Sequence, residues 1–420
     1  MSMSQEAQSI LVVGGGVIGL SCAYYLAKTG RKVRVIERDS TLLSGSSEGN
    51  AGMIVPSHFI PLAAPGVIGQ GLKWMLNPKS PFFLRPRLDL DLVRWVWTFF
   101  RHANADHVKK NETLLRDLGL ESRRLHIELA KSEGYSLVQK GLLMLCQSEK
   151  GLEEEIEMSR EAERLGLEVK AFDAGELKAY EPHAQIEARG GVWFGQDCHL
   201  SPMDFLSALR KAIGKLGGEF LEERVTDFKY SGAKVMGLEF ESGDVIEGDQ
   251  IVLAGGIATS SLSARLGVKI PMQGGKGYSL TLQKPRKSLE LCSLLKEGRV
   301  AVTPMGQKLR VAGTMEICGE ESAINPLRLQ GVIESFCRFY PEFQASDFSG
   351  IEPWVGLRPC SPDGLPYLGK LSAHENVTIA SGHSMLGLSL APITGMLVNQ
   401  LVTGENSLID YKALDPERFS

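Results

Sequence analysis

The chain has 420 residues, 43% of them hydrophobic, which is enough for two or three domains with real cores and too apolar for a disordered protein. Its 46 Lys+Arg against 50 Asp+Glu leave a net charge of -4, so no polycationic surface is expected and nucleic acid is not expected as a partner. Seven scattered cysteines without a C-x-x-C pair read as reduced, cytosolic thiols, and eight dispersed histidines show no metal-ligand spacing, so no metal is expected.

Residues 9–27 carry no charge, yet three consecutive glycines break the run and no basic segment precedes it, which argues against both a spanning helix and a signal peptide. The stretch reads instead as a strand over 10–13, a turn over 14–16 and a helix over 17–28 stopped by Gly30, followed by a strand over 31–37 that ends in a carboxylate. Residues 43–53 form a loop of small residues. Pro and Gly clusters at 56–71 and 77–86 precede charge-rich helical segments at 89–131 and 150–165, so the middle of the chain is expected to be mostly helical. A helix from Pro202 to about residue 216 leads into alternating segments at 219–230, 234–241 and 244–247, read as a strand and a small antiparallel meander. The apolar run 251–255 returns to the first sheet. Strand-like runs at 278–282, 299–304 and 309–313 predict a second, antiparallel sheet, and 377–380 followed by a Gly-rich turn and a helix over 391–401 closes the chain.

Gly14, Gly16 and Gly19 fall between the first strand and the first helix, with Glu37 eighteen residues beyond Gly19 at the end of the second strand. This is the dinucleotide pattern: one glycine for the tight turn, one for main-chain approach to a pyrophosphate, one for helix packing, and an acid for a ribose. The next sheet strand comes only near residue 251, an interleaving that favours FAD over NAD.

Five ordered motifs carry a resemblance over nearly the whole chain. The run G-G-G-V-I-G-L-S-C-A-Y-Y-L-A with Glu37, the loop S-S-E-G-N-A-G, K-G-Y-S at 276–279, G-L-R-P at 356–359 and A-S-G-H-S-M-L-G-L-S-L-A-P resemble the FAD-dependent D-amino-acid dehydrogenases, with glycine oxidase and D-amino-acid oxidase as more distant relatives. The resemblance implies an α/β FAD-binding, Rossmann-like domain (residues 1–57, 197–265 and 350–420) and an α+β substrate domain with an antiparallel sheet (residues 58–196 and 266–349). It implies that Ser46, Ser47, Asn50, Ala51, Gly52 and Met53 wrap the ribityl-pyrophosphate and the flavin edge, and that the Val225 backbone meets the adenine. Val17, Ile18, Arg38, Ala254, Gly255 and Gly356 join the same cofactor set. Gly382, His383, Gly387, Leu388 and Ser389 precede a helix whose positive end can face the flavin N1 and C2 carbonyl region, where reduced flavin is anionic.

Arg358 is the leading substrate residue, since a guanidinium presents paired donors to a carboxylate, and the resemblance implies that role for it in a loop between the domains. Tyr278, Lys276, Ser57 and His58 could complete the pocket. Some relatives carry a second basic residue where this chain has Met305, which would favour an uncharged substrate side chain. The cysteine that anchors flavin in related sarcosine oxidases falls at Gly356, so noncovalent FAD is expected. No Ser-His-Asp or Cys-His arrangement is apparent, and none is needed if the amine binds neutral. The implied reaction is oxidation of a D-amino acid to a 2-oxo acid with a quinone or other electron acceptor; the alternative is an oxygen-using oxidase of glycine, sarcosine or a cyclic imino acid. Trp74, Trp95 and Trp97 lie among cations in residues 72–101, a composition that suits a helix packed on its own domain and also a peripheral contact with the cytoplasmic membrane. The expected location is cytoplasmic, with that contact as its one extension.

Overall fold

The structure, a computed structural model, describes residues 8–39, 45–321, 323–407 and 409–420. Glu6, and Leu43 and Ser44 of the small-residue loop, lie outside these residues.

The first apolar run forms strand Ser9–Val13 at the centre of a six-stranded sheet. Strands Lys32–Glu37 and Gln250–Leu253 flank it in parallel, Glu219–Glu222 and Val377–Ser381 extend the sheet in parallel, and Tyr367–Lys370 adds an antiparallel edge. Alternation sends Ile10 and Val12 to one face and Leu11 and Val13 to the other. The first pair packs with Leu20, Leu26, Phe205 and Ile393 from helices Val17–Lys28, Pro202–Lys215 and Gly387–Thr403. The second packs with Phe228 and Leu238 from the three-stranded meander Val225–Ser231, Lys234–Phe240 and Val245–Glu247. A strand covered on both faces must be apolar throughout, which is why its sequence does not alternate.

The second sheet has nine strands. Trp354–Cys360 forms its edge, followed by Gln273–Leu282, Lys308–Ile317, Val300–Met305, Cys292–Leu295, Leu142–Cys146, Gly190–Phe194 and Val169–Asp173, with Phe82–Leu84 beside Lys308–Ile317. Its pairings are antiparallel except at Cys292–Leu295 with Leu142–Cys146 and at Phe82–Leu84 with Lys308–Ile317. Helix Pro326–Phe339 covers one face through Val332, Phe336 and Phe339.

Three expectations change and one is extended. The middle of the chain is mostly helical, as expected, but it also supplies three strands of the nine-stranded sheet; the five-residue strands 142–146 and 190–194 are apolar runs too short for periodicity to mark. The segment 89–131 is two helices, Leu90–His102 and Ala105–Glu133, because Asn104 leaves helical geometry and caps the second by accepting from the His107 N–H at 2.9 Å. Segment 219–230 divides between the six-stranded sheet and the three-stranded meander. The last helix starts at Gly387, so Gly387, Leu388 and Ser389 form its first turn instead of preceding it.

Candidate active site

A cavity of about 1430 Å³ runs between the two large sheets. Around the glycine turn it is lined by Gly14, Gly16, Val17, Ile18, Glu37, Arg38, Ser46, Ser47, Asn50, Ala51, Val225, Ala254 and Gly255. Met53, His58, Tyr278, Gly356, Arg358, His383, Gly387 and Leu388 line the rest. The fold thus gathers onto one surface residues drawn from eight separate stretches of chain. Gly19, Gly52, Gly382 and Ser389 stand behind this lining, and each has a packing role there. A Cβ on Gly19 would overlap the Gly14 carbonyl, one on Gly52 the Leu200 carbonyl, and one on Gly382 the Tyr367 ring. The Ser389 hydroxyl accepts from the Val55 N–H at 2.7 Å, tying the loop after Met53 to the last helix.

Local chemistry explains the surroundings of the glycine turn. Gly14 has φ +110°, a conformation that favours glycine, and any side chain there would strike the Ala254 carbonyl. Glu37 accepts from the Gly15 N–H at 2.6 Å and from the Arg38 N–H at 2.8 Å, so it braces the turn as well as bordering the cavity. Ser47 accepts from the Val17 N–H at 3.0 Å and thereby clamps the small-residue loop to the helix start. Arg310 holds the same loop from the second sheet by donating to the Glu48 and Asn50 carbonyls at 2.7 and 2.8 Å.

The start of helix Gly387–Thr403 faces the cavity's other half. Pro392 lacks an N–H, which frees the Leu388 carbonyl inside the helix; the buried His126 donates to it at 3.0 Å. His383 donates or accepts through Nε2 with the Thr394 hydroxyl at 2.9 Å, and burial lowers its basicity to about 3, so it is neutral. Among the described residues its Nδ1 and the Trp354 indole N–H are buried without a hydrogen-bond partner, and both residues line the cavity. Unpaired buried polar atoms along a cavity wall are what a polar, hydrogen-bonding cofactor requires. Together with the glycine turn and two helix N-termini on one wall, they fit an elongated dinucleotide.

Arg358 lies in a strand, not in the interdomain loop that was expected. Regular β structure fixes its direction: it pairs with Gly275, and its Nη1 donates to the Thr314 carbonyl at 2.9 Å and, more weakly, to the Gly275 carbonyl at 3.4 Å. A Cβ on Gly277 would occupy the guanidinium's place, which explains a glycine in mid-strand. Burial lowers the basicity of Arg358, and among the described residues it has no carboxylate partner. A desolvated cation held by carbonyls can take an anion from the cavity.

Tyr278 contributes its ring to the lining, but its hydroxyl donates to Glu316 and accepts from the Asn325 N–H at 2.9 Å. Lys276, 3.8 Å from Glu316, donates to the Ala323 carbonyl at 2.6 Å. Met305 packs against Gly52 and does not line the cavity, so it says nothing about the substrate side chain. Three lining residues escaped the sequence reading. Trp354 wedges between Gly49 and Gly356, Thr314 has φ 66°, and Arg299, with φ 49°, stacks over Trp74 at 5.8 Å. Only the Gly49 and Gly356 spacing hinted at the first; a left-handed Thr or Arg leaves no mark in sequence. The fold also assembles a Ser, His and Asp group that had not been apparent: the Ser57 hydroxyl lies 2.6 Å from Asp197 and 3.1 Å from His58 Nδ1.

Comparison with known proteins identifies the family. The family model described as FAD dependent oxidoreductase matches residues 9–401. A D-amino acid dehydrogenase of Methylobacterium nodulans is 30% identical over 98% of this chain and 99% of its own. Among solved structures, glycine oxidase from Geobacillus kaustophilus superposes with TM-score 0.78 at 23% identity, covering 98% of this chain and 99% of that one. L-proline dehydrogenase from P. horikoshii gives 0.72 at 20%, covering 99% and 98%. With a family match over nearly its full length and a cavity whose walls suit a flavin dinucleotide, the chain belongs to the DAO family of FAD-dependent oxidoreductases.

Proposed function

We propose that the chain oxidises a D-amino acid to its 2-oxo acid and ammonia, with noncovalent FAD as the hydride acceptor. The observation that carries this reading is Arg358, a desolvated guanidinium on the wall of the cofactor cavity that has no carboxylate partner among the described residues. The D-amino acid dehydrogenases at 30% identity support the substrate class. When bound, FAD supplies two-electron acceptance at its ring.

The chain's residues do the rest. Arg358 holds the carboxylate, and its donors to the Thr314 and Gly275 carbonyls set the angle at which it does so. The Tyr278 ring and the neutral His58 bound the space around the substrate. Gly14, Gly16, Glu37, Ser46, Ser47 and Asn50 hold the dinucleotide. The first turn of helix Gly387–Thr403 offers positive potential to negative charge developing on the ring, which makes electron acceptance easier.

A lipid-soluble acceptor such as a quinone fits a further feature. Helices Val67–Met75 and Leu90–His102 line the cavity through Trp74, Met75, Trp95 and Phe99. Their outer sides expose Leu76, Leu90, Val93, Trp97 and Phe100 beside Lys73, Arg94 and Arg101. This apolar face with flanking cations suits the surface of an anionic membrane next to the cavity. No helix among the described residues is long and apolar enough to cross a membrane.

Anaerobic addition of a panel of D- and L-amino acids to the FAD-loaded protein tests the reaction. Bleaching of the flavin by D-amino acids is expected, and no bleaching by any amino acid would overturn the reading. Faster reoxidation by a soluble quinone than by oxygen is expected, and the reverse would replace the dehydrogenase by an oxidase.

A further inference from the structure

An amino acid arrives with its nitrogen protonated, whereas hydride can leave Cα only when that nitrogen has a free lone pair. The ammonium proton must therefore go somewhere before oxidation, and the cavity wall contains a route for it.

Strand Met53–Ile54 pairs with Cys198–Leu200, Ile54 opposite Cys198, so the turn that follows the first strand lies beside the residue that precedes the second. Ser57 and Asp197 meet there, 140 residues apart in sequence. The Asp197 carboxylate, 1% exposed, accepts from the Ser57 N–H at 3.1 Å and from the Ser57 hydroxyl at 2.6 Å; among the described residues it has no other hydrogen-bond partner. The Ser57 oxygen is also 3.1 Å from Nδ1 of His58, and His58 lines the cavity. Counting protons fixes the directions. An ionised carboxylate only accepts, and Ser57 has one hydroxyl proton, which goes to Asp197. His58 must then carry its proton on Nδ1 and donate it to Ser57, leaving the Nε2 lone pair unprotonated.

We propose that His58, Ser57 and Asp197 form a proton relay that carries the ammonium proton of the bound amino acid from the cavity to a buried carboxylate. It rests on the amino-acid reading above. The substrate ammonium gives a proton to His58 Nε2, Nδ1 gives its proton to Ser57 Oγ, and Ser57 gives its original proton to Asp197 Oδ2. One N–H bond of the substrate breaks and one O–H bond forms on Asp197; His58 ends as the other neutral tautomer, and no redox change occurs. His58 is the catalytic residue in this step, while Ser57 and Asp197 act through it.

The electrostatics agree. Burial, and after it the charge of Arg299, holds His58 down at about 4, so the ring passes a proton without storing charge. Burial raises Asp197 to about 7, against the hydrogen bonds from Ser57 and the charge of Arg123 on helix Ala105–Glu133, so this carboxylate can accept a proton near neutrality. Cys198 on the adjoining strand and Cys292 across from it are the other titratable groups facing Asp197, and burial keeps both thiols protonated. The sign follows: the relay is ready only when Asp197 is ionised, so amine oxidation should rise with pH through about 7.

The test is the rate of anaerobic flavin reduction by a D-amino acid, followed from about pH 6 to about pH 10 in the FAD-loaded wild type, Asp197→Asn and Ser57→Ala. Both variants should be roughly 10- to 100-fold slower at about pH 8 and approach the wild-type rate at the alkaline end, where solvent takes the proton instead. A purely structural role would lower the rate by one factor at every pH, and that result, or no change in either variant, overturns the relay. Nitrogen NMR of ¹⁵N-labelled histidine gives a readout independent of turnover: the wild type should hold His58 with its proton on Nδ1, and Ser57→Ala should shift it toward Nε2. Finding Nε2–H in the wild type also overturns the relay. Bleaching with an unaltered pH profile in the variants removes the relay alone, whereas no bleaching by any amino acid removes the reaction and the relay together.

Discussion

The two ends of the cavity are built by opposite means. At the dinucleotide end, a turn, a helix start and a carboxylate all lie within 24 residues, Gly14 to Glu37, and local backbone geometry does most of the work. At the substrate end, Arg358, Thr314, Gly277, His58 and Asp197 come from five distant segments brought together by sheet register and strand pairing. The first end is intolerant of any change in its own backbone. The second tolerates side-chain replacement in folding terms and depends on distant neighbours for its geometry.

The largest expected effect is at the first end. Gly14→Ala places a Cβ on the Ala254 carbonyl at positive φ, a combination costing roughly 1–2 kcal/mol for the conformation and about 1–3 kcal/mol for the overlap. Flavin content after purification should fall to near zero and the unfolding midpoint should drop; retention of full flavin would mean that the turn does not bear on the cofactor.

At the second end, Arg358→Met should leave flavin content and melting unchanged while losing about 2 kcal/mol of carboxylate binding, close to 30-fold in the second-order rate of flavin reduction. An unaltered rate would remove Arg358 from the site. Gly277→Ala sharpens the comparison, because the new methyl displaces the Arg358 guanidinium without touching its charge. A rise in KM of about tenfold with an unperturbed flavin spectrum is expected, and a perturbed spectrum would mean that the two ends are not separable.

The smallest effect concerns the clamp between them. Glu48 is 4% exposed, neither oxygen has a hydrogen-bond partner among the described residues, and burial, together with the charge of Asp39, raises it to about 7 despite Arg210 and Arg310. Because the native value lies above the ordinary one, the unfolded chain releases this proton first, so stability falls as pH rises from about 4.5 to about 7 and stays lower beyond. Glu48→Gln should therefore raise the melting midpoint by about 1–2 °C at about pH 8 and leave it unchanged at about pH 4. A gain of equal size at both values would trace the effect to packing.

Residue order alone identified the first end, the apolar central strands and the helix at the carboxyl terminus, because strand, turn and capping chemistry act over a few neighbouring residues. It also marked Arg358, through a motif whose glycine spacing reflects the close packing around it. Three things were decided only in three dimensions: that Arg358 stands on a strand, that the Tyr278 hydroxyl is held by Glu316 and Asn325, and that Asp197 reaches His58 through Ser57. Each depends on which strands become neighbours and in what register. Short apolar strands such as Leu142–Cys146 carry no periodic signature of their partners; burial against the whole fold selects those partners, and the chemistry at the substrate end follows from that choice.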